Sequence, residues 1–124
     1  MAFEIPGFSY TLEASGDLSA QQFHCMAVNG NGQAVAATSG AQIAGVLQND
    51  PEVQGEAATI VQTGITKAKA GAAVAQGAEV MSDADGEVIT ATSGNRVVGT
   101  ALQAAAIADE IIAVLLLPGG GQLN

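Results

Sequence analysis

GQAVAATSGAQIAGV at residues 32–46 and GEVITATSGNRVVGT at residues 86–100 share the phrase Ala-Thr-Ser-Gly and the glycines that frame it. Displacing the sequence by 54 positions brings Gly32, Gly40 and Gly45 onto Gly86, Gly94 and Gly99 without a gap. Upstream, Gln22 meets Gln76 and NGNG meets DADG; downstream, Glu56 meets Glu110 and AATIVQT meets IIAVLLL. The correspondence holds in character over residues 17–64 and 71–118. Two copies are too few for a solenoid. They predict two similar β-repeats closing into one small β-barrel or sandwich, a mainly β fold.

Local signals within each copy are those of strands. Residues 34–37, 59–63, 88–92 and 96–98 are short runs, several of them β-branched, bounded by Gly, Asn or Asp. NGNG and DADG are hairpin-turn chemistry, and each Thr-Ser-Gly is the next turn. Gly45 and Gly99 interrupt a strand pattern, which marks a bulge or a close backbone approach. ALQAAAIADEI at residues 101–111 favours a helix by propensity. Its counterpart at residues 47–57 contains Pro51 and Gly55, so at most one copy carries a helical turn there. Residues 111–117 are apolar on both faces, as in a fully buried strand. Pro118 and GGGQLN then read as the end of the fold, with residues 119–124 a flexible tail. Three of the four aromatics, Phe3, Phe8 and Tyr10, fall with Ile5, Pro6 and Gly7 before the repeats begin. Residues 1–16 are therefore expected as an extended arm, either an interface anchor or a strand covering the barrel's open end.

Composition limits what such a domain can do. The 124 residues suffice for one core. The core material is thin, because much of the 48% apolar content is Ala and Gly numbers 16. Small side chains bury little area each, so an oligomer or larger assembly is expected to complete the fold. The net charge of −9, with Lys67, Lys69 and Arg96 as the cations, argues against binding to nucleic acid or to an anionic membrane. No cationic start with a following apolar run marks a signal peptide. The most apolar stretch, residues 111–118, is too short to cross a bilayer as a helix.

No catalytic set emerges. His24 and Cys25 are the chain's single histidine and cysteine and are adjacent, which offers neither a triad nor the four ligands of a zinc site. SDADGEV resembles part of a calcium loop through Asp83, Asp85 and Gly86, but Met81 and Thr92 stand where further ligands belong. A plain hairpin turn is expected instead. The glycine-rich stretches lack the Gly-Lys-Ser/Thr ending of a phosphate loop. No catalytic, cofactor-binding or metal-binding residues are therefore assigned.

The pattern of residues 32–35, 43–46, 64–68, 74–80 and 97–101, with the acidic turn and apolar last strand of residues 108–117, resembles the capsid cement (decoration) proteins of tailed bacteriophages. That resemblance implies a compact β-barrel or β-tulip-like domain, arranged as homotrimers on the outer capsid surface of the virion and made in the host cytoplasm. It further implies binding to the major capsid protein between capsomers, with no cofactor. On this reading Phe3, Ile5, Pro6, Phe8 and Tyr10 of the arm bind the partner. A second resemblance is to lipoyl- or biotinyl-type carrier domains, also small two-halved acidic β-barrels, through GITKAKAGAAVAQGAEV. There the modified lysine sits at a hairpin tip, whereas Thr-Lys-Ala-Lys-Ala reads as Lys67 and Lys69 alternating along a strand. An interaction module of some other assembly would share the same fold.

Overall fold

In both copies the glycine-framed phrase folds as the second strand of a hairpin, a tight turn and the start of the next strand. The structure, a computed structural model, describes residues 2–122, with eleven strands and no helix among them. One sheet has the order β1 (Ile5–Pro6), β7 (Gly64–Lys69), β11 (Ile111–Gln122), β10 (Arg96–Ala101), β8 (Glu79–Ser82), β9 (Val88–Thr90). The other runs β2 (Ser9–Glu13), β6 (Ala57–Val61), β5 (Gly45–Leu47), β3 (Cys25–Val28), β4 (Ala34–Ala36). Each sheet curls until its two sides approach: Ala14 bridges to Ala34 in one, Ala70 to Val88 in the other. The result bears out the mainly β fold expected, here all β among the described residues and built as two curled half-barrels.

Apart from β1, the two sheets are one design. β2, β6, β5, β3 and β4 correspond in order to β7, β11, β10, β8 and β9. The match extends to single hydrogen bonds. Asn29 Oδ1 accepts the N–H groups of Asn31 and Gln33, both at 2.9 Å, and Asp83 Oδ1 accepts those of Asp85 and Glu87, both at 2.9 Å. Positive φ recurs at paired positions, Phe23 with Gly77 and Gly55 with Asp109.

One offset separates this duplication from the sequence expectation. From Gln22 onward the displacement is 54, since Gln22 donates to the Gln48 carbonyl as Gln76 does to that of Leu102. Before that point it is 56: the N–H of Leu18 bonds Pro51 O as that of Val74 bonds Ala105 O. The first half thus holds two extra residues between Leu18 and Gln22, and β2 is the counterpart of β7. The segment expected as a separate arm is accordingly seated in the sheets. Ile5 pairs with Ile65, Pro6 with Gly64, and Ser9 through Glu13 with Val61 through Ala57. Residues 119–122 of the expected tail continue β11, where Gly121 and Gln122 pair with Val97 and Arg96; residues 123 and 124 lie outside the described residues.

The helical alternative for residues 101–111 is not adopted. The Glu110 carboxylate accepts the N–H groups of Ala106 (3.2 Å) and Ile107 (3.3 Å), and Asp109 has φ 75°. Glu56 builds the same turn in the first half by accepting from Glu52 and Val53. A side-chain acceptor and a left-handed residue here outweigh the helix propensity of alanine.

The core has two parts. Met26, Leu47 and Ile60 pack with Leu18 and small alanines inside the curl of the second sheet. Val80, Val88, Ile112 and Val114 fill the curl of the first, joined by Cys25, Val46 and Val61 from the second. Those three pair across neighbouring strands as one row, Cys25 to Val46 to Val61, and this row packs half against half. Burying each valine contributes about 1.5–3 kcal/mol. Backbone bonds across the seam add direction: Cys25 N–H to Gly86 O (2.6 Å), Gly40 N–H to Ser82 O (2.9 Å) and Lys69 N–H to Phe23 O (3.0 Å). The close approaches expected at Gly45 and Gly99 are present, because a Cβ there would strike the carbonyls of Val61 and Leu115.

Candidate functional site

The N-terminal residues are ordered by backbone and exposed by side chain. Gly7 donates its N–H to Thr63 O (2.9 Å), Phe8 donates to Thr63 Oγ1 (2.6 Å), and Gln62 donates back to Phe8 O (2.9 Å). A Cβ on Gly7 would collide with the Thr63 hydroxyl, so this crossing between the sheets needs glycine. Glu4 and Lys67 add a loose ion pair at 3.8 Å. Nothing in these contacts buries the apolar groups. Phe3 is 43% exposed, Ile5 63% and Phe8 56%, and Pro6 is exposed as well. Tyr10 differs: it packs against the second core cluster, its hydroxyl donates to Ala44 O (2.9 Å), and its ring stacks on Phe8 at 5.7 Å. Burial raises its phenol pKa. Of the five sequence-selected residues, Phe3, Ile5, Pro6 and Phe8 are displayed on one edge, while Tyr10 anchors that edge to the domain.

Leu115 was not selected from sequence, because residues 111–117 read as buried on both faces. In the structure Ile112, Val114 and Leu116 point inward, whereas Ile111, Leu115 and Leu117 are exposed. Leu115 pairs with Ile65, which pairs with Ile5, so the N-terminal edge continues as an apolar row across the sheet. Period-two alternation along β11 is hidden when both sets of positions are apolar.

The remaining chemistry is structural. Cys25 is fully buried, and burial, with Asp83 adding, pushes its thiol up to about 12, far from a reactive thiolate. His24 is buried beside it, with Nδ1 2.8 Å from Asp85 O and no partner at Nε2. Asp83, Asp85 and Glu87 bring carboxylate oxygens within 4.8 Å of one another. Asn29, Asn31 and Gln33 occupy the same three places in the first half and build the same turn. The cluster is therefore a hairpin turn written in acids. Lys67 and Lys69 lie within β7, paired with Ala113 and Ile111, instead of at a hairpin tip where a carrier domain displays its lysine. The pocket between the sheets near Ala44, Arg96 and Leu116 holds about 20 Å³, room for one water.

The phage cement protein family model matches residues 6–116. No curated protein matches the chain. Among solved structures, the chain is similar to one described as the head fiber gp8.5 N base in bacteriophage phi29, with a TM-score of 0.69 at 15% identity, over 89% of this chain and 93% of that one. At that identity the likeness is one of fold.

Proposed function

The chain belongs to the phage cement protein family, a family of structural and non-enzymatic capsid components, and from that premise we propose that it clamps neighbouring capsomers by binding the major capsid protein from the outer surface of the shell. The observation that carries this reading is the N-terminal edge. Ile5, Pro6 and Phe8 are held by backbone pairing and hydrogen bonds to Gly64, Ile65, Gln62 and Thr63, yet they and the neighbouring Phe3 leave their apolar surface in water. Preordering lowers the entropy cost of docking, and exposed aromatics are favoured anchors. A homotrimer made in the host cytoplasm completes the proposal, since three linked edges multiply weak contacts where geometry lets all engage. The acidic surface would keep the protein off packaged nucleic acid.

The experiment is co-sedimentation with expanded shells stripped of their decoration. Wild type should bind saturably, and the double variant Phe3→Ser with Phe8→Ser should lose binding while its β-sheet circular dichroism is unchanged. Saturable binding by the folded double variant would sink the assignment of the edge. Absence of binding by wild type would sink the capsid reading itself.

A further inference from the structure

NGNG at residues 29–32 holds both Asn-Gly pairs of the chain, and its counterpart in the second half is DADG at residues 83–86. An asparagine followed by glycine is open to attack from its own backbone, because no Cβ on the next residue crowds the approach. The glycine nitrogen loses its proton and bonds to the asparagine Cγ. The Cγ–Nδ2 bond breaks, Nδ2 leaves with that proton as ammonia, and a succinimide ring remains. Water then opens the ring at either carbonyl, giving aspartate or isoaspartate. The sum is ammonia exchanged for water, with nothing oxidised or reduced. We propose that Asn31 is a site of spontaneous deamidation, and that Asn29, two residues earlier, is held out of the reaction by the turn it builds.

Hydrogen bonds separate the two asparagines. Ring closure requires the side chain to swing its Cγ onto the following nitrogen. Asn29 is half-buried, and its Oδ1 accepts the N–H groups of Asn31 and Gln33, both at 2.9 Å. Its Nδ2 donates to Gln33 Oε1 at 3.3 Å. Swinging toward Gly30 would break the bonds that shape the turn. Asn31 is exposed and enters the turn through its N–H, which leaves its carboxamide in water. The nitrogen it must meet, that of Gly32, keeps one longer bond to Asn29 O at 3.1 Å. Gly32 is itself exposed, with open space where a Cβ would stand. Closure at Asn31 thus gives up one marginal bond, against the whole side-chain set at Asn29.

The second half shows that the product fits. Asp85 stands in the place of Asn31, and its N–H donates to Asp83 Oδ1 at 2.9 Å as that of Asn31 does to Asn29 Oδ1. The glycines that follow share a left-handed backbone, φ 75° at Gly32 and 88° at Gly86. Aspartate at position 31 therefore keeps the turn and adds one negative charge to a chain of net charge −9. Isoaspartate routes the main chain through Cβ, which lengthens the turn by one atom and displaces the Gly32 N–H. An Asp-Gly pair can close the same ring with loss of water, but Asp85 is followed by a glycine locked in the seam. Gly86 O accepts from Cys25 N–H at 2.6 Å, and a Cβ on Gly86 would meet the Cys25 carbonyl. Of the three pairs, the fold leaves the one at Asn31 free to react.

Capsid binding plays no part in this chemistry, so the test uses the purified intact protein alone. It is incubated at body temperature and mildly alkaline pH, with a parallel sample in concentrated urea. Intact mass reads the exchange of nitrogen for oxygen, and peptide fragmentation assigns the residue and distinguishes aspartate from isoaspartate. In the folded protein the gain should appear at Asn31, several-fold ahead of Asn29, and in urea the two rates should converge. Asn31→Gln, which would need a larger ring, should remove the early gain from the folded protein. No gain at either residue overturns the inference, and so does reaction at Asn29 as fast as at Asn31 in the folded protein. A folded Asn31→Gln variant that gains mass at the wild-type rate overturns it as well.

Discussion

Replacing Asp83 with alanine and with asparagine separates the two things its carboxylate does. Its Oδ1 accepts two backbone N–H groups at 2.9 Å, and its charge sits beside Asp85 and Glu87. Asp83→Ala removes both bonds. At about 0.5–1.5 kcal/mol each, the loss is roughly 2 kcal/mol. Unfolding entropy of about 2.1 cal/mol/K per residue, over 124 residues, converts this to a fall of about 8 °C in Tm. Asp83→Asn should cost nothing measurable, because Asn29 makes the same two bonds in the first half. It should even help near neutral pH. Burial holds the Glu87 carboxyl above its ordinary pKa and Asp83 adds to the rise, with His24 and Lys69 opposing. A carboxyl raised on folding stabilises fully below its unfolded pKa, and that contribution is lost as pH rises through the folded value. Removing the Asp83 charge restores part of it, so the gain should be present at pH 7 and vanish below about pH 4. Thermal melts at one protein concentration, at both pH values, read all of this. An asparagine variant as damaged as the alanine variant would refute the reasoning, and so would a gain that persists unchanged in acid.

Further outcomes follow from the same structure. Tyr10→Phe should lower stability by about 1 kcal/mol through loss of the bond to Ala44 O, measured by chemical denaturation. Gly45→Ala and Gly99→Ala should each cost more than about 2 kcal/mol in the same assay, since the new Cβ meets a neighbouring strand's carbonyl. Cys25 should resist a disulfide-exchange reagent at neutral pH until the protein unfolds, because its thiol is fully buried and its pKa is raised to about 12.

The two-halved β architecture was legible because hairpin turns and close approaches demand glycine, and glycines stay visible when side chains diverge. Gly32, Gly40 and Gly45 matched Gly86, Gly94 and Gly99 for that reason. The start of the repeat was hidden. Two extra residues between Leu18 and Gln22 move β2 out of the 54-residue register, so a uniform displacement placed Tyr10 against Gly64 and assigned the strand to an arm. Propensity misled at residues 101–111, where alanines suggest helix but Glu110 and left-handed Asp109 hold a turn. The aromatic edge was legible as composition, in the clustering of Phe3, Phe8 and Tyr10. Leu115 was not, since the inward and outward positions of β11 are equally apolar and only the pairing of strands tells them apart.

Where the aromatics stand bears on how such a chain serves in a capsid. Of its four aromatic rings, none is in the fully buried core: Phe3 and Phe8 are exposed, and Tyr10 and Phe23 are half-buried. The core is instead made of Met26, Leu47, Ile60, Ile112, valines and alanines, side chains small enough for two curled sheets to close on themselves. Tyr10 is the one ring packed against a curl's core cluster, half-buried with its hydroxyl on Ala44 O, and the rest of each close-packed interior is filled by smaller side chains. The duplicated fold leaves Phe3 and Phe8 at the surface, and the backbone pairing on either side of Phe8, at Ile5–Pro6 and Ser9–Glu13, sets where that ring is shown. A free arm would lose conformational entropy on docking for each residue it orders, at about 1–2 kcal/mol per residue. Here that cost falls on folding, so the docking proposed for this sheet edge would start from an edge already shaped.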